Sequence, residues 1–238
     1  MDSPRAEIKE LADDVSEHVD AFVEAVKPHL RGWLHLVTAP LALVGGLVLT
    51  STAPTQGGRI AAMVFTITAG LLFGTSAVYH RGRWGGRLAG ALRRWDHANI
   101  FLIIAGSYTP FALMLPRTQA ITLLVIVWSG AIIGVLFRVL WVGAPRWLYV
   151  PVYVALGWVA VFYIKPLLTH GGWTILAFVV AGGALYTAGA VVYGLKRPNP
   201  SPRWFGFHEI FHALTIAAFT AHFAAAAVVV ATGAALPA

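Results

Sequence analysis

The sequence predicts an all-α protein: a seven-transmembrane helix bundle with an amphipathic N-terminal cytoplasmic helix. Composition is the first observation, because 58% of the 238 residues are hydrophobic and only 11% are charged, whereas soluble domains carry about 25% charged residues. The second observation is that long apolar runs recur along the chain, and the third is that the charges flank these runs. This composition excludes a disordered chain and an ordinary soluble enzyme. The lack of cysteine in the sequence also excludes disulfides and thiolate metal sites.

Seven apolar segments are long enough to cross a membrane, since a helix needs about 20 residues to span a hydrocarbon core of about 30 Å. They are continuously apolar rather than alternating, which indicates helices and not the strands of a barrel. The second segment is the clearest, with no charged residue between Ile60 and Tyr79. The predicted spans are residues 33–50, 60–80, 97–115, 119–141, 147–168, 173–194 and 208–231.

The first residues of the chain differ in charge from the rest. Residues 1–26 contain eight of the ten acidic residues and two basic ones, which leaves a net charge of −6. Apolar residues recur there at helical spacing. We therefore predict a cytoplasmic amphipathic acidic segment over residues 1–28 and a membrane domain over residues 29–238. Two arrangements remain open for the acidic helix: it packs over basic cytoplasmic loops, or it is solvated and loosely attached.

The basic residues predict the orientation of the bundle. Counted by connection, 14 Lys and Arg residues lie on the side of the N-terminus and 3 lie on the other side. Cytoplasmic loops carry the excess of Lys and Arg. We therefore expect a multi-pass protein of the inner (plasma) membrane, with the N-terminus in the cytoplasm and the C-terminus outside. Because membrane topology explains these charges, we predict no nucleic-acid partner.

Three histidines are predicted to meet at the cytoplasmic end of the bundle. His208 and His212 are four residues apart at the start of the seventh span, so they share one helix face. His80 reaches a similar depth at the end of the second span. Three neutral imidazoles plus one water make a zinc site of the catalytic type, with an open position. Ser76, one turn before His80, and Asp96, at the start of the third span, lie at the same predicted depth.

Other interpretations of these histidines are weaker. A single histidine at the end of a span is most often an interfacial residue. A metal site is favoured only because three histidines, together with Asp96 and Ser76, lie at one predicted depth. Residues 208–212 also match the HExxH pattern of zinc proteases. However, Thr215 and Ala218 stand where a metzincin has Gly and His. Glu209 is also turned about 100° away from the histidine face.

The remaining histidines of the spans lead to separate expectations. His35 and His97 are expected next to the metal ligands or facing a substrate. His222 lies about 15 Å deeper than His212, at 1.5 Å per residue, and is expected to make a buried polar contact between helices. His170 is expected to be exposed in an outer loop.

Several motifs together resemble the hemolysin III branch of the progestin and adipoQ receptor (PAQR) family. Residues 76–80 match SxxxH, and residues 94–100 (RWDHANI) and 106–110 (GSYTP) follow. The third element is 208–212 (HEIFH), with His222 and Phe223 later. The first motif departs from the family, which usually has an acid and an Asn ahead of a His. Pro28 and Arg31 stand at the first two positions and only His35 matches, while His97 replaces the more frequent Tyr.

The resemblance implies that His80, His208 and His212 bind zinc. It implies that Asp96 contacts the zinc-coordinated water and that Ser76 supports the site. It also implies hydrolysis of lipid amides, because related receptors and the alkaline ceramidases share a similar site. Bacterial members resemble membrane-homeostasis proteins, so the resemblance implies a role in membrane lipid or fluidity homeostasis.

We therefore predict an integral membrane zinc protein that hydrolyses a lipid amide or ester, with membrane lipids as partners. Asp96 would orient or deprotonate the attacking water, and Ser76 would hydrogen-bond the water or the developing oxyanion. The first alternative is a non-enzymatic membrane sensor or receptor-like regulator with a structural zinc. The second is a hemolysin-type cytolytic protein, which is disfavoured because the polar residues of the spans cluster at one end of the bundle.

Overall fold

The computed structural model describes residues 28–141 and 143–233. The acidic helix predicted within residues 1–26 lies outside these ranges. The described chain is helical and contains no β-strand, with one isolated antiparallel bridge between Ser201 and Phe205. Its elements are α1 (Trp33–Thr52), α2 (Gln56–Arg81), α3 (Gly86–Ala112), α4 (Arg117–Leu140), α5 (Arg146–Gly157), a 3-10 helix (Trp158–Tyr163), α6 (Ile164–Leu195) and α7 (Phe207–Ala231).

Five helical segments are long and apolar enough to cross a membrane: α1, α2, α4, α7 and the continuous run Arg146–Leu195. Seven were predicted, and the difference has two causes. The first half of α3 contains three arginines and Asp96, which lower its hydropathy. The predicted fifth and sixth spans fall within the single run of 50 residues, where α6 continues through Gly172 despite its non-helical angles of φ 73° and ψ 178°.

Helices that are neighbours in the chain pack side by side at the centre of the molecule. α2 lies between α1 and α3, α6 packs on α7, and α7 also contacts α1, α2 and α3. Glycines permit the closest approaches. A Cβ at Gly46 would lie 2.2 Å from Thr66 Oγ1, and one at Gly106 would lie 2.0 Å from Thr68 Oγ1. Small residues at such contacts let membrane helices approach closely. Through Gly46 of α1 and Gly106 of α3, both neighbouring helices pack closely against α2.

The exterior of the helices is apolar, and many polar side chains are buried. Leu41, Leu47, Ile133 and Phe162 are all largely exposed, as side chains in contact with lipid would be. Ionisable groups inside a membrane protein usually face the bundle interior. Those buried here include His35, His80, Arg138, Glu209 and His212. The chain is therefore a multi-pass membrane protein with ionisable side chains buried among the apolar residues of its interior.

Candidate metal centre

Three histidine side chains from two helices meet at one end of the bundle. His80 is in the last turn of α2, and His208 and His212 are in the first two turns of α7. One ring nitrogen from each lies within 4.8 Å of the others. His80 Nε2 is 3.2 Å from His208 Nε2. The structure thus brings together the three residues that were predicted as metal ligands.

The donor atoms of this histidine cluster fit a zinc ion. Zinc binds imidazole nitrogens at about 2.0–2.1 Å with tetrahedral geometry, which separates two such nitrogens by about 3.3 Å. The separation between His80 and His208 is close to this value. Three protein ligands with a fourth position open are typical of catalytic zinc. Within residues 28–141 and 143–233, no other group of three potential ligands comes together.

The start of α7 is fixed by hydrogen bonds to its first backbone amides. Glu209 Oε2 accepts the N–H of Gly206 at 2.8 Å, and Asn199 Oδ1 accepts the N–H of Phe207 at 2.8 Å. The first amides of a helix lack partners within the helix. Because side chains supply these partners, the first two turns of α7, which carry His208 and His212, have a defined position.

Glu209 has a structural role. Its side chain is fully buried, and Oε1 pairs with Nε of Arg31 while Oε2 is bound to the backbone of Gly206. A metalloprotease would need this glutamate as the general base. Since both carboxylate oxygens are engaged, the structure does not support that role. Arg31, which departs from the family pattern in the first motif, instead ties the start of α1 to α7.

The segment before α1 lies against the histidine cluster. Gly32 has φ 81°, and a Cβ at this position would lie 2.8 Å from Cβ of His80. The N–H of His29 donates to the carbonyl of Arg203 at 3.0 Å, and the His29 ring stacks on Trp204 with centroids 4.6 Å apart. Residues 28–32 therefore join α1 to the loop before α7, next to the cluster.

We expect Arg31→Ala to lower the free energy of unfolding by about 3–5 kcal/mol, because it leaves the buried Glu209 carboxylate without its charged partner. Thermal unfolding of the purified protein in detergent measures the change. The double variant Arg31→Met with Glu209→Met removes both charges and should recover part of the lost stability, the remainder being the hydrogen bond from the N–H of Gly206 that Met cannot accept. A double variant as unstable as Arg31→Ala would contradict this assignment.

Asp96 lies beside the histidine cluster at the start of the cavity. Its Oδ2 is 3.7 Å from His80 Nε2, and Ser76 also interacts with this carboxylate. His97 could have been the partner of Asp96, but its Nδ1 is 4.0 Å from Asp96 Oδ2 and donates to the Arg93 carbonyl at 2.7 Å. Asp96 is thus placed to accept a hydrogen bond from a group held near His80.

His35 belongs to the same site. Its ring stacks on the ring of His212 with centroids 3.8 Å apart and contacts Phe73 edge-on at 5.0 Å. The side chain is 2% exposed, and neither ring nitrogen has a hydrogen-bond partner among the described residues. Buried polar atoms are normally paired. The two nitrogens are therefore available to a group bound beside the cluster.

A cavity of about 100 Å³ leads from the histidine cluster into the bundle. Its polar end is lined by His35, Ser76, Asp96, His97, His208 and His212, and most of its other walls are apolar. A second cavity of about 40 Å³ shares lining residues with the first, among them Ser107, Tyr108, Trp158 and His222. An apolar space with one polar end is suited to an apolar ligand with a polar head.

Two tyrosines beside the site were not predicted. The hydroxyl of Tyr193 donates to His97 Nε2 at 3.2 Å, and the hydroxyl of Tyr149 is 3.3 Å from that of Tyr193. The guanidinium of Arg146 lies 4.5 Å from the centre of the Tyr193 ring. Tyrosine and arginine are ordinary residues near the ends of membrane spans. Nothing in their spacing linked them to His97, because they come from different helices.

Fold and site together define a class of protein: a multi-pass helical membrane protein whose buried histidine cluster could hold a metal ion at the end of an apolar cavity. The chain belongs to the haemolysin-III-related family, whose profile matches residues 23–223. This confirms the family that the motifs resembled.

Two bacterial relatives show the extent of the similarity. The chain is 38% identical over 114 residues to the Hemolysin-3 homolog of Bacillus subtilis (strain 168), across 47% of this chain and 54% of that protein. It is 30% identical over 187 residues to Hemolysin-3 of Bacillus cereus, across 75% of this chain and 84% of that protein. The match thus spans about half the length of the first relative and most of the second.

Proposed function

We propose that this protein is a zinc-dependent hydrolase that cleaves a lipid amide or ester and thereby adjusts membrane lipid composition or fluidity. One observation carries the proposal: a buried cluster of three histidines, with a carboxylate beside it, opens into an apolar cavity. His80, His208 and His212 would hold the zinc. A zinc ion at this position would polarise a carbonyl group and activate a water.

Asp96 is the acid–base group in this proposal. Its carboxylate, 3.7 Å from His80 Nε2, accepts a proton as water adds to the carbonyl carbon of the lipid. The same proton then passes to the leaving nitrogen or oxygen as the C–N or C–O bond breaks. Ser76 interacts with the carboxylate, and its single O–H donor would turn to the developing oxyanion as the water adds.

The apolar lining of the cavity supports a lipid as the substrate. Its walls beyond the polar end include Leu72, Ile100, Ile104, Val150 and Phe211. Burying an acyl chain against such side chains stabilises the complex in proportion to the apolar area removed from water. The polar end would then hold the carbonyl group of the lipid close to the histidines.

A lipid panel tests the proposed activity. Purified protein in nanodiscs is incubated with ceramide and with other acylated lipids, and the released fatty acid is measured by mass spectrometry. We expect release that a chelator abolishes and added zinc restores. If no lipid in the panel shows zinc-dependent release, the hydrolase proposal is wrong.

A non-enzymatic sensor with a structural zinc is the second candidate function. The proximity of Asp96 favours it, because a carboxylate so close to His80 Nε2 could become the fourth ligand. Structural zinc sites are closed in this way. X-ray absorption of the zinc-loaded protein separates the candidates: a coordination shell that is unchanged in Asp96→Asn supports the hydrolase, and the loss of one oxygen ligand supports the sensor.

We also propose that the chain crosses the inner membrane seven times, with its N-terminus in the cytoplasm. A run of 50 residues is about 75 Å long as a helix, more than twice the hydrocarbon thickness of about 30 Å. This length supports two crossings that meet near Gly172.

Reporter fusions test the proposed orientation. A reporter fused after Ala238 should report an extracytoplasmic position, and one inserted between α2 and α3 should report a cytoplasmic position. The opposite pattern would overturn the orientation.

A further inference from the structure

The inner part of the cavity contains a histidine that the proposed reaction does not use. His222 is on α7, ten residues beyond His212 and therefore about 15 Å further along the helix. It lines both the first and the second cavity, so it lies where the two meet. An ionisable side chain within a membrane span is costly and points to a function or a specific partner.

Contacts from two other helices hold the His222 ring in one position. Phe111 of α3 and Tyr186 of α6 contact the ring edge-on, with centroids 5.8 and 5.6 Å away. Gly182 of α6 lies against the ring, since a Cβ at this position would be 2.2 Å from Cδ2 of His222. Nε2 of His222 is 3.2 Å from the carbonyl oxygen of Val179. The ring is therefore a fixed part of the cavity wall.

The contact with Val179 determines the chemistry of the other ring nitrogen. A carbonyl oxygen only accepts hydrogen bonds, so Nε2 of His222 carries the proton, and Nδ1 of the neutral ring is an acceptor. Nδ1 is buried and has no hydrogen-bond partner among the described residues. The hydroxyl of Ser107, which lines both cavities, donates to the carbonyl of Ile104 at 2.8 Å. The proton of this hydroxyl is thus not available to Nδ1.

We propose that the junction of the two cavities is a binding site for a hydroxyl group carried on the apolar chain of a lipid, with Nδ1 of His222 as the acceptor. The ligand must be largely apolar, because most of the lining is, and its polar group must donate, because Nδ1 can only accept. A buried acceptor without a partner is unfavourable, so a hydroxylated chain binds better than a plain one. This inference rests on the part of the proposed function that places a lipid chain in the cavity, and not on hydrolysis.

Two fatty acids test the inference without turnover, because neither is an amide or an ester. The probes are 12-hydroxystearic acid and stearic acid, measured by displacement of a fluorescent fatty acid from the full-length protein in nanodiscs, with empty nanodiscs as background. We expect 12-hydroxystearic acid to bind about tenfold more tightly, the effect of one hydrogen bond. 3-Hydroxystearic acid, whose hydroxyl lies beside the carboxylate, should bind like stearic acid.

A variant locates the preference in the structure. His222→Phe retains an aromatic ring against Gly182 but removes the acceptor, so the preference should disappear while stearic acid still binds. His170→Phe changes an exposed histidine and should retain the preference. Equal binding of the two acids to the wild-type protein, or a preference that survives in His222→Phe, would show that the inference is wrong. The wild-type comparison remains decisive even if His222→Phe does not fold.

Discussion

Replacement of His80, His208 or His212 by Ala is expected to remove most of the bound zinc, from about one ion per chain in the wild-type protein. In the proposed site each imidazole would supply one of three protein ligands, and even groups that merely orient a ligand change metal affinity by about 10–100-fold. We therefore expect zinc affinity to fall by more than about 100-fold in each variant. Elemental analysis of the purified variants and competition with a zinc indicator measure the change.

The matched control is His170→Ala, which removes an exposed histidine and should leave the zinc content unchanged. Metal binding contributes to folding, so the three variants should also unfold at lower temperature, and added zinc should no longer stabilise them. Full zinc occupancy in any one of the three would show that this histidine is not a ligand.

Replacement of Asp96 by Asn is expected to lower the turnover of a lipid substrate by at least about 100-fold, the lower end of what acid–base groups contribute. The amide is close in shape to the carboxylate and can still hydrogen-bond Ser76, so the fold and most of the zinc should be retained. Release of fatty acid is measured as a function of lipid concentration, with zinc content determined on the same samples. The change should appear in kcat more than in KM, because the proton transfer occurs in the transition state.

Ser76→Ala is the companion variant for Asp96→Asn. It removes the hydroxyl that interacts with the carboxylate and should lower turnover less than Asp96→Asn does. If Asp96→Asn alters a cellular fluidity phenotype while no lipid is hydrolysed by the wild-type protein, Asp96 acts in a switch, and the sensor function replaces the hydrolase.

Four membrane helices could be located from the sequence to within a few residues. α1 was predicted over 33–50 and is Trp33–Thr52, and α7 was predicted over 208–231 and is Phe207–Ala231. α2 and α4 agree similarly with the predicted second and fourth spans. Helix formation in lipid depends on local apolar composition, because every backbone group must be satisfied within its own segment. The sequence predicted two separate helices within residues 146–195, whereas the helical run of the structure continues across Gly172.

The candidate ligands could also be predicted, for a similarly local reason. His208 and His212 are one helical turn apart, so their common face follows from helix geometry alone. His80 could be grouped with them because it lies at the end of a span, which predicts a similar depth in the membrane. The spacing of residues along single helices, together with a shared depth, was therefore sufficient to propose a metal site.

The partners of these residues were decided by tertiary structure. Arg31 and Glu209 are 178 residues apart in sequence, and their pairing assigns a structural role to a glutamate that resembles a protease base. His35 stacks on His212, Tyr193 donates to His97, and the ring of His222 is held between α3 and α6. Each of these contacts depends on how far a helix is rotated about its axis and how closely it approaches its neighbour. Hydropathy specifies neither quantity, since the packing of side chains between helices determines both.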